Sequence, residues 1–253
     1  MLKENYKPFL LLSLLWILFA LIINPIGNFP LNDDWAYAKN VFYLSEQGIL
    51  KFSDWPAMTL LSQMFWASAF CKIFGFSFTV LRFSVLIVGL IASFLIFSLT
   101  KYLSNNKSLA FFATLSIILN PLFFSLSYTF MTDVPFLTTT IFTFYFLSRY
   151  ISNTDKFKYF ILAVIFSVIT ILIRQTGMIM PLAVFFAYFL ISRKFNKQLI
   201  NYFFWILFLT IILVVFMYWL KKSGNMASNF SSGDELFNNF SLKKLALFKY
   251  IVC

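Results

Sequence analysis

Residues 83–99 read FSVLIVGLIASFLIFSL, an apolar run without a charged side chain. Coiled as an α-helix at about 1.5 Å per residue, it approaches the thickness of a bilayer's hydrocarbon core. A membrane strand would alternate apolar and polar residues, and this run does not. Comparable runs recur at 9–23, 109–126, 134–147, 160–173, 178–191 and 202–220, the shorter ones only marginally long enough. The sequence therefore predicts an all-α, polytopic transmembrane protein of about seven spans.

Composition agrees. The 253 residues are 61% hydrophobic and only 11% charged, and the mean hydropathy is +0.85, which excludes an ordinary soluble domain. Histidine is absent, so a His/Cys zinc site is excluded. Cys71 and Cys253 lie far apart and give neither a disulfide framework nor a metal-ligand spacing. The net charge of +11 falls mostly in short loops beside the spans. That is the pattern of membrane orientation rather than of nucleic-acid binding. The first run follows Lys3 and Lys7 and lacks a small-residue cleavage site. It reads as an uncleaved span with its N-terminus in the cytoplasm, in a cell membrane of the bacterial inner-membrane kind.

A more polar stretch, 27–78, separates the first run from the second. Trp35, Ala38 and Phe42 recur there at helical spacing, which suggests an interfacial helix. Segment 58–74 is apolar but interrupted by Thr59, Ser62, Gln63 and Ser68. If it crossed, Lys101 and Lys107 would fall outside and Asp133 inside. If it returns to the outer face, Lys101/Lys107, Arg149/Lys156/Lys158 and Arg193/Lys194/Lys197 all fall inside. The second arrangement is the expected one, with interfacial helices in an outer loop. It gathers Asp33, Asp34, Asp54, Asp133 and Arg174 on the outer face. Residues 1–220 form the membrane module, and 221–253 form a polar outer tail.

Nine acidic residues stand out against this background, because carboxylates at membrane depth are costly. Asp33 and Asp34 sit in NDDWAY, and Asp133 in FMTDVPF. Either Asp33 or Asp34 suits a helix N-cap, and either suits a general base or metal ligand at the mouth of a cavity. Asp133 precedes Val134-Pro135, again a plausible helix start, but a cap alone does not explain a second carboxylate on the same face. Arg174 ends an apolar run and reads either as a snorkelling cation or as a phosphate clamp. Arg82 is a weaker case of the same kind. Asp54, before Trp55-Pro56, reads as a turn residue or a further ligand-facing carboxylate.

The order of these features resembles the C-type membrane glycosyltransferases, in particular the protein O-mannosyltransferase and aminoarabinose transferase group. The features are the acidic pair after the first span, Pro56 before Phe65-Trp66, FGFS followed by Leu81-Arg82-Phe83, the Thr132-Asp133 motif, and Arg174 shortly before Gly177. The resemblance covers residues 7–193. It implies a polyprenyl-phosphate sugar as donor, a lipid, glycan or protein as acceptor, and catalysis on the outer face. It places Asp33 at the catalytic carboxylate with Asp34 beside it, Asp133 at the second acidic position, and Arg174 near the donor phosphate. Arg82 and Asp54 join the substrate-binding set. A divalent cation is the one cofactor it admits. Family chains continue through further spans, so the resemblance also predicts that 221–253 begin a further C-terminal part, and that the chain ending at Cys253 transfers little sugar. A transporter or channel subunit, or a non-catalytic assembly protein, would use the same charges differently. Clustering of the carboxylates at span ends, with no inverted repeat, speaks against transport.

Overall fold

The computed structural model describes residues 2–193 and 195–225; the polar tail beyond residue 225 lies outside the described residues. The described chain is helical, without strands. Its helices are α1 (Leu2–Ile23), α2 (Asp34–Glu46), α3 (Leu61–Phe74), α4 (Phe78–Ser104), α5 (Lys107–Ile118) and α6 (Pro121–Ser127). They continue with α7 (Asp133–Ser152), α8 (Phe157–Ile171), a 3-10 turn (Gln175–Met178), α9 (Ile179–Ser192) and α10 (Lys197–Lys222).

Helices occupy all seven of the expected runs, but length and apolarity do not make each one a span. Among the described residues four segments qualify alone: Tyr6–Ile23, Phe78–Ser104, Gln175–Ser192 and Lys197–Lys222. The α5–α6 pair, bent by 65°, would be a fifth. The 15-residue α8 is short, and threonines dilute the apolarity of the 20-residue α7. Those threonines are nonetheless compatible with lipid. The Thr138, Thr139, Thr140 and Thr143 hydroxyls donate to carbonyls one turn back in their own helix, at 2.7 to 3.0 Å, so no donor is left unmet.

Local chemistry sets the helix ends. Asn120 accepts from the Leu122 and Phe123 amides at 3.0 and 3.3 Å. Pro121, which lacks an N–H, occupies the first turn of α6, so the helix restarts there instead of continuing from α5. Ser77, Asn106 and Asn196 cap α4, α5 and α10 in the same manner.

Helix α3 begins and finishes at one end of the bundle. Before and within its first turn, the Leu60 and Ser62 amides donate to Ile173 and Leu172 carbonyls at 3.0 and 3.1 Å. The Thr59 hydroxyl donates to the Ile171 carbonyl at 2.7 Å. These are the carbonyls that the end of α8 leaves without helical partners. Beyond its other end, the Phe78 amide donates to Asn28 Oδ1, and the Gly27 amide to Thr79 Oγ1, both at 3.0 Å. Both ties therefore lie at the same end of the bundle, where α1 and α8 finish and α4 begins.

Two buried clusters hold the bundle. One includes Trp16, Val41, Met64, Val85, Phe97 and Phe130; the other includes Tyr150, Phe160, Tyr202, Trp205 and Leu209. Where α1 crosses α4, a Cβ on Gly89 would lie 2.7 Å from the Trp16 ring. The missing side chain lets the helices approach, and Trp16 Nε1 donates to the Leu86 carbonyl at 3.1 Å.

Candidate active site

Of the charged residues selected from the sequence, Asp133 and Arg174 meet where α7 begins and α8 finishes. Asp133 is the first residue of α7, and Arg174 lies just after α8. Their side chains pair, Arg174 Nη2 to Asp133 Oδ2, at 2.8 Å. Arg174 Nε also donates to Thr132 Oγ1 at 2.6 Å, and that hydroxyl faces the Met58 sulfur at 3.1 Å. The guanidinium is thus held from two sides by the Thr132-Asp133 motif.

Asp33 and Asp34 have opposite surroundings. Asp34 is fully buried. Its Oδ1 accepts from the Leu31 amide at 2.7 Å and its Oδ2 from the Phe130 amide at 3.4 Å. Burial raises its pKa, against the lowering effect of those two amides and of Arg82. Asp33 occupies the N-cap position of α2 without making the cap hydrogen bond, and it is exposed. Its carboxylate is available to solvent or ligand.

Tyr37 ties the two motifs together. It is buried, and its hydroxyl points to the Met58 sulfur 3.8 Å away. Burial raises its pKa first of all; Arg174 opposes this, and Asp33 and Asp133 add to it. One phenol thus lies in the field of Asp33, Asp133 and Arg174. Tyr37 and Met58 were not singled out by the sequence reading, and Thr132 entered it only as part of the Thr-Asp motif. Position within the quoted NDDWAY motif was the signal for Tyr37, and nothing pointed to Met58.

Arg82 and Asp54 sit differently. Arg82 is buried near the start of α4. Nη1 donates to the Pro25 and Gly27 carbonyls at 3.2 and 3.0 Å, and Nη2 donates to the Phe29 carbonyl. The guanidinium therefore fastens the loop that leads to Asp33. Asp54 is exposed between α2 and α3, and its neighbour Trp55 packs on Trp35 with ring centroids 5.8 Å apart. No cluster of three or more carboxylate or thiol ligands occurs among the described residues.

Beside the pair, a cavity of about 480 Å3 opens between α3, α4, α7 and α8. Its walls are mostly apolar, including Trp66, Ile91, Phe142 and Phe166, with Ile173 next to Arg174 and Pro135 two residues beyond Asp133. Gln63 lines it, nearly fully buried, with Oε1 unpartnered.

The family model for dolichyl-phosphate-mannose-protein mannosyltransferases matches residues 62–220. The matched part contains Arg82, Asp133 and Arg174; the acidic pair and Asp54 precede it. No curated protein and no solved structure matches the chain. The match spans well over half of the chain and agrees with its apolar helices. The chain belongs to the dolichyl-phosphate-mannose-protein mannosyltransferase family, a family of membrane glycosyltransferases.

Proposed function

We propose that this protein transfers a sugar from a polyprenyl-phosphate donor to an acceptor hydroxyl on the outer face of a bacterial-type cell membrane. The observation that carries the reading is the Arg174 guanidinium held by Asp133 and Thr132, beside an apolar cavity in the bundle. The prenyl tail lies along that cavity. Lipid tails are as apolar as its walls, so the cavity orients the tail and adds little net attraction. Attraction comes from the phosphate, which Arg174 meets with a charge-assisted hydrogen bond.

Asp33 accepts the proton of the acceptor hydroxyl. The freed oxygen forms a bond to the anomeric carbon of the sugar. The bond from that carbon to the phosphate oxygen breaks, and its electron pair leaves with the polyprenyl phosphate. Arg174, already fixed by Thr132 and Asp133, faces the charge that develops there and needs no reorganisation to do so. Asp133 positions both Arg174 and the acceptor.

The test is radiolabelled sugar transfer by the full-length protein in proteoliposomes. Asp33→Asn keeps size and hydrogen bonding but cannot take the proton, so the rate should fall by about a hundred-fold to ten-thousand-fold at unchanged expression. Arg174→Ala should raise the donor KM more than Arg174→Lys, which keeps a point charge. Parent-level transfer by the Asp33→Asn variant would remove the base from this scheme.

A further inference from the structure

The segment before α3 is stitched to the end of α8 on both sides of Met58. The Ala57 carbonyl accepts from Gln175 Nε2 at 2.9 Å. The Thr59 hydroxyl and the Leu60 amide donate to the Ile171 and Ile173 carbonyls at 2.7 and 3.0 Å. The backbone at Met58 is therefore fixed without help from its own side chain. That half-buried side chain reaches two other elements. Its sulfur lies 3.1 Å from the hydroxyl of Thr132, just before α7, and 3.8 Å from the hydroxyl of Tyr37 on α2.

A hydroxyl has one proton to give. The Thr132 oxygen already accepts from Arg174 Nε at 2.6 Å, so its proton must point elsewhere, and the Met58 sulfur is the acceptor it meets. Thr132 is fully buried and makes no cap bond to α7, so bulk water does not stand in for the sulfur. A thioether is a weak acceptor, and its use here is to set a direction. Without it a buried donor goes unmet, and the hydroxyl turns to another of its few staggered wells. Its oxygen then leaves Arg174 Nε. The guanidinium keeps Asp133 at Nη2 and loses its second fixed point.

We propose that Met58 is a positioning residue: its sulfur sets the Thr132 hydroxyl and, through it, the direction of the Arg174 guanidinium. Tyr37, on the same sulfur, holds the thioether from the α2 side. That Arg174 then meets a phosphate rests on the sugar-transfer reading; the positioning does not.

The test is the rate at which phenylglyoxal modifies Arg174 in the full-length protein in nanodiscs, read by peptide mass spectrometry. Met58→Leu keeps an apolar side chain of similar size and removes the acceptor. Arg174 should then react about fivefold faster, the worth of one ordinary hydrogen bond. Thr132→Val should do the same. Arg149, far along α7, should react at its parent rate in both variants, which shows that the bundle is intact. The two changes together should go no further than either alone, because both break one chain of contacts. Unchanged Arg174 reactivity in the Met58→Leu variant would overturn the proposal. So would effects that multiply to about twenty-five-fold in the double variant, since they would mark two independent packing losses. No turnover is needed for these readouts. Undecaprenyl phosphate is then added to the parent protein. If it fails to slow the modification of Arg174 while the variants behave as expected, the sugar-transfer reading fails and the role of Met58 stands.

Discussion

At the scale of single residues, the adjacent carboxylates of Asp33 and Asp34 show how one step along the chain separates a structural group from a chemical one. Asp34 points inward and collects the Leu31 and Phe130 amides, so it joins the start of α2 to the turn before α7. Asp33 points outward without a cap bond. Asp34 yields a prediction with a definite sign. Its folded pKa lies above the ordinary value of 3.8, so the folded state binds the proton more tightly than the unfolded chain does. Its contribution to stability is fully present below about 3.8 and is lost as pH rises through the folded pKa. In detergent micelles, the melting temperature of the parent relative to an Asp34→Asn variant should therefore rise as pH is lowered from neutral through that interval. A margin that shrinks on acidification would contradict this burial-dominated account. The Asp133–Arg174 pair is a different case. With side chains 34% and 21% exposed, it contributes at most about 1 kcal/mol to stability. Its geometry matters more for holding the guanidinium.

At the scale of elements, α3 decides the topology. Its composition left two options, a crossing or a return. Ties of the segment entering α3 to the last carbonyls of α8, and of the start of α4 to the loop after α1, speak for the return. Cysteines introduced at Ala57 and at Phe74, exposed positions just before and at the end of α3, should react with an impermeant maleimide from the same side of a sealed vesicle. Labelling from opposite sides would require α3 to cross and would turn Asp133 away from Asp33. The α5–α6 break is an element-scale feature that sequence could have signalled in full. Asn120-Pro121 is a capping residue followed by a residue suited to the first helical turn, yet the apolar run 109–126 hid it.

At the scale of the whole molecule, ties between distant segments assemble the charged end. Asp34 reaches Phe130, Thr59 reaches Ile171, and Phe52 reaches the end of α10, where its ring packs on Phe216 and Trp219 at 6.1 and 6.3 Å. Arg82 is the most heavily used of these ties. Arg82→Met would leave the Pro25, Gly27 and Phe29 carbonyls without their donor. Stability should fall by about 3 kcal/mol or more, read as a lower melting temperature in micelles. Arg82→Lys should recover only part of it, since an ammonium cannot reproduce the guanidinium fork. A melting temperature unchanged in the Met variant would mean that the loop before Asp33 is held by something else.

By itself, the sequence determined where the helices run, that they belong in lipid, and which charges stand out against the apolar background. Those properties depend on residues within a few positions of one another, through apolar runs, caps and prolines. Only the tertiary structure decided that Arg82 turns inward to fasten a loop, that Asp34 is buried while Asp33 is open, and that α3 returns to its starting end. Helix bounds, with length and composition, leave four segments among the described residues, or five with the bent pair, long and apolar enough to cross, where runs of residues alone had suggested seven. The tertiary structure brought Tyr37 and Thr132 to the charged cluster, although Thr132 and Arg174 are 42 positions apart. Which distant groups meet depends on how the helices pack and on what each buried polar atom finds as a partner, and no local pattern carries that information.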